Sequence, residues 1–157
     1  MRAVIQKSGN ANVEVKGKIN GVIKGGYVIL LGITHDDNEK DIDYLVEKIC
    51  NIRLFEDGNL ENHKYFEKSI LETSKEVLVI SQFTLYARTK NGRRPDFIDA
   101  AKGEIAEPLY KLFMKKLEDK GLKVEHGEFG AMMKVSLENI GPVTIILDSK
   151  TRQTRTK

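Results

Sequence analysis

Two short stretches place polar groups where acyl-transfer chemistry could be done. In VLVISQFTLYART, an apolar run beginning at Val77 reaches Ser81 and Gln82, then passes through Phe83 and Thr84 into a basic segment. At a strand end, backbone N–H groups no longer committed to a sheet can point at a developing oxyanion, and the hydroxyls of Ser81 or Thr84 can donate a hydrogen bond or orient water. The plainer alternative makes Ser81 and Thr84 ordinary strand residues with Phe83 in the core. The second stretch is Asn139-Ile140-Gly141-Pro142-Val143-Thr144. Gly-Pro between two strands predicts a turn, and X-Pro bonds are where cis peptides occur. Such a bond would fix two adjacent carbonyl directions and build a chirality-sensitive wall from main chain alone; a plain hairpin turn is the alternative.

A third feature lies beside the first. Arg88, Lys90, Arg93 and Arg94 crowd into one loop around Asn91-Gly92, flanked by Tyr86 and Phe97. Such a loop suits a phosphate backbone, with an aromatic ring available to a terminal base; a solvated loop face is the competing account. Other chemistries lack their signatures. His35, His63 and His126 are far apart, no HExxH occurs and the one cysteine is isolated from all three, so no metal is expected. Neither G-x-S-x-G nor a phosphate-binding P-loop is present, and no cofactor is implied.

These segments need a scaffold, and the pattern supplies one. Arg2 to Lys7 reads as a short strand, followed after Ser8-Gly9-Asn10 by a hairpin from Asn12 to Ile23 about Gly17. Tyr27 to Ile33 is a continuous apolar run apart from Gly32, as in a strand buried on both faces. Ile42, Leu45, Val46 and Ile49 recur at helical spacing after the possible caps Asp36, Asp37 and Asn38. Asp57-Gly58-Asn59 is a turn by composition. A second helix is predicted over Ile105 to Leu117, with Pro108 near its first turn and Gly121 ending it. Leu122 to Glu125, Met132 to Leu137 and Val143 to Leu147 read as three further strands. Many strands without regular βα alternation predict an α+β single domain: a mixed or largely antiparallel curved sheet packed with two main helices.

Composition agrees with that reading. With 157 residues, 40% apolar and 31% charged, the chain is expected to fold as one soluble domain. A lone Cys50 in apolar surroundings predicts a core thiol and a reducing compartment. No signal-like apolar start or membrane-length window occurs, so a cytoplasmic protein without membrane contact is expected. Of the 26 basic side chains, four (Lys150, Arg152, Arg155 and Lys157) lie in the last eight residues, leaving 22 against 23 acids. The division is a domain over 1–149 and a basic C-terminal tail over 150–157, which suits an anionic partner if it is not simply a frayed end.

Taken together, the segments MRAVIQK, GGYVILLGI, KICNIRLF, SQFTLYA, NGRRPDF, LYKLFMKKL and FGAMMKVSLENIGPVTIILDS resemble the D-aminoacyl-tRNA deacylase family across nearly the whole chain. Two specific motifs, SQFTL at Ser81 to Leu85 and GPVT at Gly141 to Thr144, are intact. The resemblance implies a homodimer with active sites at the interface, acting on the 3′ end of aminoacyl-tRNA and not on DNA. Ser81, Gln82, Phe83 and Thr84 would form the catalytic wall. Gly141 and Pro142 of the neighbouring chain would screen the α-carbon, rejecting L-amino acids and admitting glycine to some degree. Lys7 stands where the family carries an arginine associated with holding that Gly-Pro loop; lysine keeps the charge but loses the planar fork. Arg88 replaces a usual acid, Asp96 a serine and Ile140 an aspartate. Met133 is a candidate contact on the substrate side, with core packing equally open to it and to Met132. The tRNA-binding candidates are Arg88, Lys90, Arg93 and Arg94. With no histidine or acid near Thr84 in sequence, attack by water, assisted by the substrate's 2′-hydroxyl, is expected over a threonine nucleophile. The rivals are a noncatalytic RNA-binding or ribosome-associated module, a structural homodimer without RNA function, and a hydrolase of free D-amino-acid esters.

Overall fold

The computed structural model describes residues 1–58, 64–90 and 92–151. Asn59, His63, Asn91 and the tail residues Arg152, Arg155 and Lys157 fall outside them. The elements are β1 (Arg2–Val15), β2 (Lys18–Ile23), β3 (Gly26–Gly32), α1 (Glu39–Asn51), β4 (Arg53–Phe55), β5 (Lys68–Ser69), β6 (Glu76–Ser81), α2 (Gly103–Asp119), β7 (Val124–His126) and β8 (Met133–Asp148). The main sheet runs β2-β1-β3-β6-β7, with β8 also paired to β1. β6 lies parallel to both β3 and β7, while all pairs of β1 are antiparallel. The sheet is therefore mixed. It curls until its ends meet: Asn20 of β2 donates a 2.9 Å hydrogen bond to the His126 carbonyl of β7.

Alternation along the strands sorts side chains into two cores. Ala3, Ile5, Tyr27, Ile29, Val77 and Val79 face the two helices. Ala11, Val13, Ile23, Val28, Leu78 and Ile80 fill the inside of the curl. β3 contributes to both, which is why its sequence is apolar without interruption. The helices are capped as their residues predict. Asn38 accepts from the Lys40 amide at 3.0 Å, and Asp41 accepts from the Asn38 amide at 3.0 Å. At the end of α2, Gly121 (φ +90°) closes a Schellman turn, its N–H bonding Glu118 and that of Leu122 bonding Leu117. Because α2 begins at Gly103, Pro108 sits in the second turn, where it removes one ladder bond. Cys50 is buried in the core, where desolvation pushes its thiol up to about 11.

Two strand expectations are corrected. Ser8-Gly9-Asn10 does not break β1, which continues for 14 residues. Three steps on β1 (Ser8 to Ala11) face two on β8 (Asn139 to Leu137), so the segment is a bulge. Likewise Gly141-Pro142 joins no hairpin: β8 is one 16-residue strand keeping its direction along β1. Its pairing jumps from Ser8↔Asn139 to Gln6↔Thr144, so residues 140–143 bow out opposite Lys7 alone. Local sequence carries the punctuation, but the long partner strand carries the chain straight through it.

β3 and β6 approach closely at Gly26. There φ is +146°, and a Cβ would stand 1.8 Å from the Glu76 carbonyl oxygen. Gly26→Ala must push these central strands apart or rotate the peptide. A loss of roughly 2–3 kcal/mol in urea-denaturation stability is expected; an unchanged midpoint would show that the strands are not so tightly joined there.

Candidate active site

At its C-terminal end β6 leaves the sheet abruptly. The Gln82 amide still bonds the Leu31 carbonyl at 2.8 Å, after which Phe83–Tyr86 form a single 3-10 turn. The Leu85 amide bonds Gln82 at 3.3 Å and the Ala87 amide bonds Thr84 at 3.0 Å. Phe83 and Thr84 are the first residues of the turn, and their N–H groups have no acceptor among the described residues. Both amides are donors left over by the geometry of a strand ending in a tight helix.

Next to them lies a cavity of about 660 Å³ lined by Ser81, Gln82, Phe83, Thr84, Ile80 and Met133, and closed by Ala101, Gly103, Ala106, Phe129 and Ala131. Small residues at the start of α2 and on the 127–132 segment leave the room that larger ones would fill. None of the described residues lining it carries an ionisable side chain. The Gln82 amide nitrogen donates to the Thr84 hydroxyl, which fixes both side chains against each other. Phe83 is 56% exposed and meets Phe97 edge-on, with centroids 4.9 Å apart. The alternative that put Phe83 in the core therefore fails.

The turn is braced from behind. Arg2 donates from Nη1 to the Leu85 carbonyl and from Nε to Asp148 Oδ2, both at 2.9 Å. Its guanidinium carbon lies 4.5 Å from the centroid of the Tyr86 ring. Burial raises the Asp148 carboxyl, but the hydrogen bonds from Arg2 and the Lys150 amide outweigh it and hold the group below its ordinary value. Nothing in the local sequence marked Arg2 or Asp148, because they lie at opposite ends of the chain and meet only through the β1–β8 pairing.

The remaining candidates are distributed over other surfaces. Gly141-Pro142 is a cis peptide, with Gly141 at φ +122°. The excursion is spanned by Asn139, whose Oδ1 accepts from the Val143 amide and whose Nδ2 donates to the Thr144 hydroxyl, each at 3.0 Å. Neither residue of the pair lines the cavity of its own chain. Lys7 does not line it either. Its side chain shares the helix-facing side of β1 with Ala3 and Ile5, and its ammonium pairs with Glu56 at 2.6 Å, 5.5 Å from the Phe55 ring centroid. That hydrogen bond keeps the Glu56 carboxyl below its ordinary value.

The basic loop is pinched at its base by a two-way bridge between the backbones of Arg88 and Asp96. Arg88 also forks onto Asp99, with both nitrogens at 2.5 Å, so its charge is largely satisfied within the chain. Lys90, Arg93 and Arg94 are exposed and have no ion pair among the described residues. Lys150 turns back to Asp36, Asp37 and Asp41, where Asp37 also pairs with the buried Met1 ammonium. No group of three or more metal-ligating side chains converges among the described residues, and no helix is long and apolar enough to cross a membrane.

A curved mixed sheet packed with two helices, with a neutral cavity at the end of its parallel strand β6, is shared with known proteins. The family model for D-Tyr-tRNA(Tyr) deacylase matches residues 4–148, and the chain belongs to that family. It is 53% identical to a D-aminoacyl-tRNA deacylase of Bacillus thuringiensis over 96% of this chain and 100% of that one. The corresponding protein of Bacillus pumilus is 50% identical, with 96% and 99% covered. Among solved structures, one named c-Myc DNA Unwinding Element Binding Protein superposes with a TM-score of 0.85 at 40% identity, covering 94% of this chain and 98% of that one. A second, described as a probable eukaryotic D-amino acid tRNA deacylase, shares the fold at TM-score 0.81 and 16% identity, with 93% and 97% covered.

Proposed function

We propose that this chain hydrolyses the ester between a D-amino acid and the 3′ end of tRNA, releasing both. The observation that carries the chemistry is that Phe83 and Thr84, whose amides have no acceptor among the described residues, line a cavity without ionisable side chains. Water attacks the ester carbonyl, and the two N–H groups take the oxygen that becomes negative. Ser81 and Gln82 line the wall beside them, and Gln82 orders the Thr84 hydroxyl. Among the described residues lining the cavity Thr84 has no base to activate it as a nucleophile, so the proton of the attacking water passes by way of the substrate's own 2′-hydroxyl to the 3′-oxygen as the ester bond breaks.

Selection by handedness needs a wall that the chain's own cavity lacks. A second copy of the chain supplies it: its Gly141 and Pro142 close the open side opposite Phe83 and leave no space for an L side chain. Glycine, with none, is accepted to some degree. Met133 lies on the substrate side, and Lys7 supports the strand from which the pair projects. The acceptor end of the tRNA crosses Lys90, Arg93 and Arg94, with Arg88 holding the base of their loop through Asp99. Such an enzyme works in the cytoplasm, where tRNA is charged.

Single-turnover release of labelled amino acid from D-Tyr-tRNA and L-Tyr-tRNA, against spontaneous hydrolysis, tests this. Rapid loss of the D form alone is expected. Equal background loss of both from folded, tRNA-bound protein would instead favour a noncatalytic RNA-binding module.

A further inference from the structure

The 3-10 turn that offers the Phe83 and Thr84 amides is short, and its front is open to the cavity. Beyond the bonding within the turn, the main-chain bonds that hold it are the 3.3 Å and 3.0 Å bonds at its two ends and the 2.8 Å bond tying Gln82 to β3. An oxyanion donor must keep its direction to within a few tenths of an ångström to stabilise charge as it develops. That rigidity must come from behind, where one side chain makes three contacts at once. The Arg2 guanidinium sends one edge to the Leu85 carbonyl, another to Asp148 and its face to the Tyr86 ring. Tyr86 is 6% exposed, and its buried hydroxyl has no hydrogen-bond partner among the described residues, so no hydrogen bond from them holds the ring in place. Packing and the cation above it do.

We propose that Arg2 and Asp148 are positioning residues for catalysis, a clamp that sets the direction of the Phe83 and Thr84 amides through Leu85 and Tyr86. The inference rests on the reading of that turn as the reacting site. The geometry asks for arginine: a planar fork reaches a carboxylate and a carbonyl while stacking on a ring, which a single ammonium does not. Asp148 fixes the fork's rotation. It is the last residue of β8 and pairs in register with Arg2, so the clamp is anchored in the sheet.

The test compares Arg2→Met, Arg2→Lys and Asp148→Asn with the native protein. Saturating single-turnover rate and half-saturating concentration are measured on D-Tyr-tRNA per folded molecule, together with backbone amide NMR signals of Phe83 and Thr84. Arg2→Met is expected to lower the saturating rate roughly 10-fold or more, with half-saturation within about two-fold, and to shift both amide signals. Arg2→Lys should recover some of the rate, and Asp148→Asn should fall in the same direction. A purely structural role would reduce the folded fraction and leave the saturating rate per folded molecule unchanged. Because Arg2 adjoins the buried Met1, Asp148→Asn decides the matter if Arg2→Met does not fold. Native rate and unmoved amide signals in folded variants overturn the clamp while leaving the site reading intact. An inactive native protein overturns the site reading, and the clamp with it.

Discussion

Proline at position 83 is expected to slow the saturating hydrolysis of D-Tyr-tRNA about 100- to 1000-fold relative to alanine at the same position, the usual consequence of removing one oxyanion donor. The comparison isolates a single N–H. Both variants lose the Phe83 ring, which is half-exposed and touches Phe97 only edge-on. They differ in the backbone donor. The substitution is sterically mild, because position 83 opens a helical turn, where proline is tolerated. Gln82, at φ −142° and ψ 79°, already lies outside the helical region that a following proline disfavours. Rates within about three-fold of each other would remove the Phe83 amide from the mechanism. Thr84→Val is the companion measurement: it keeps that residue's amide and discards the hydroxyl, so a modest effect is expected if water is the nucleophile.

The second large effect is expected from the substrate. D-Tyr-tRNA ending in 2′-deoxyadenosine should be hydrolysed at least about 100-fold more slowly than its natural counterpart, the lower range for losing a positioned proton-transfer group. The reason is the composition of the cavity. With no ionisable group among its described lining residues, the protein offers no base of its own there. The same feature sets the pH dependence. With neutral water attacking and its proton relayed through the 2′-hydroxyl, no net proton is lost before the transition state, so the protein adds no inflection or bell of its own across about pH 6 to 8, and any pH dependence should follow that of spontaneous hydrolysis of the same ester. An inflection or bell near neutral pH that spontaneous hydrolysis lacks, or a deoxy substrate cleaved at the natural rate, would point to a protein base outside the described lining.

The sequence made several of these features legible. The apolar run into Ser81-Gln82 identified a strand ending in polar residues because a buried strand is bounded by its composition. The spacing of Ile42, Leu45, Val46 and Ile49 identified α1, and Gly121 marked the end of α2, since periodicity and turn chemistry are local properties. Asn139 to Thr144 was legible as an irregular segment and misleading as a turn. A Gly-Pro pair states that the ladder is interrupted, but only the β1 partner decides whether the chain reverses or continues.

What the sequence by itself determined was therefore the kinds of element, their order, and the motifs that carry the family resemblance. Tertiary structure alone decided which groups meet. Arg2 reaches Leu85 and Asp148 because antiparallel pairing brings the first and last strands together. Lys7 faces Glu56, and Arg88 is occupied by Asp99, through side-chain directions that no spacing rule encodes. The neutral character of the cavity likewise depends on β6, β8 and the start of α2 converging from distant stretches of the chain. Hydrophobic periodicity and turn propensity act over a few residues, whereas a site is assembled by strand register, which is settled only when the whole sheet closes.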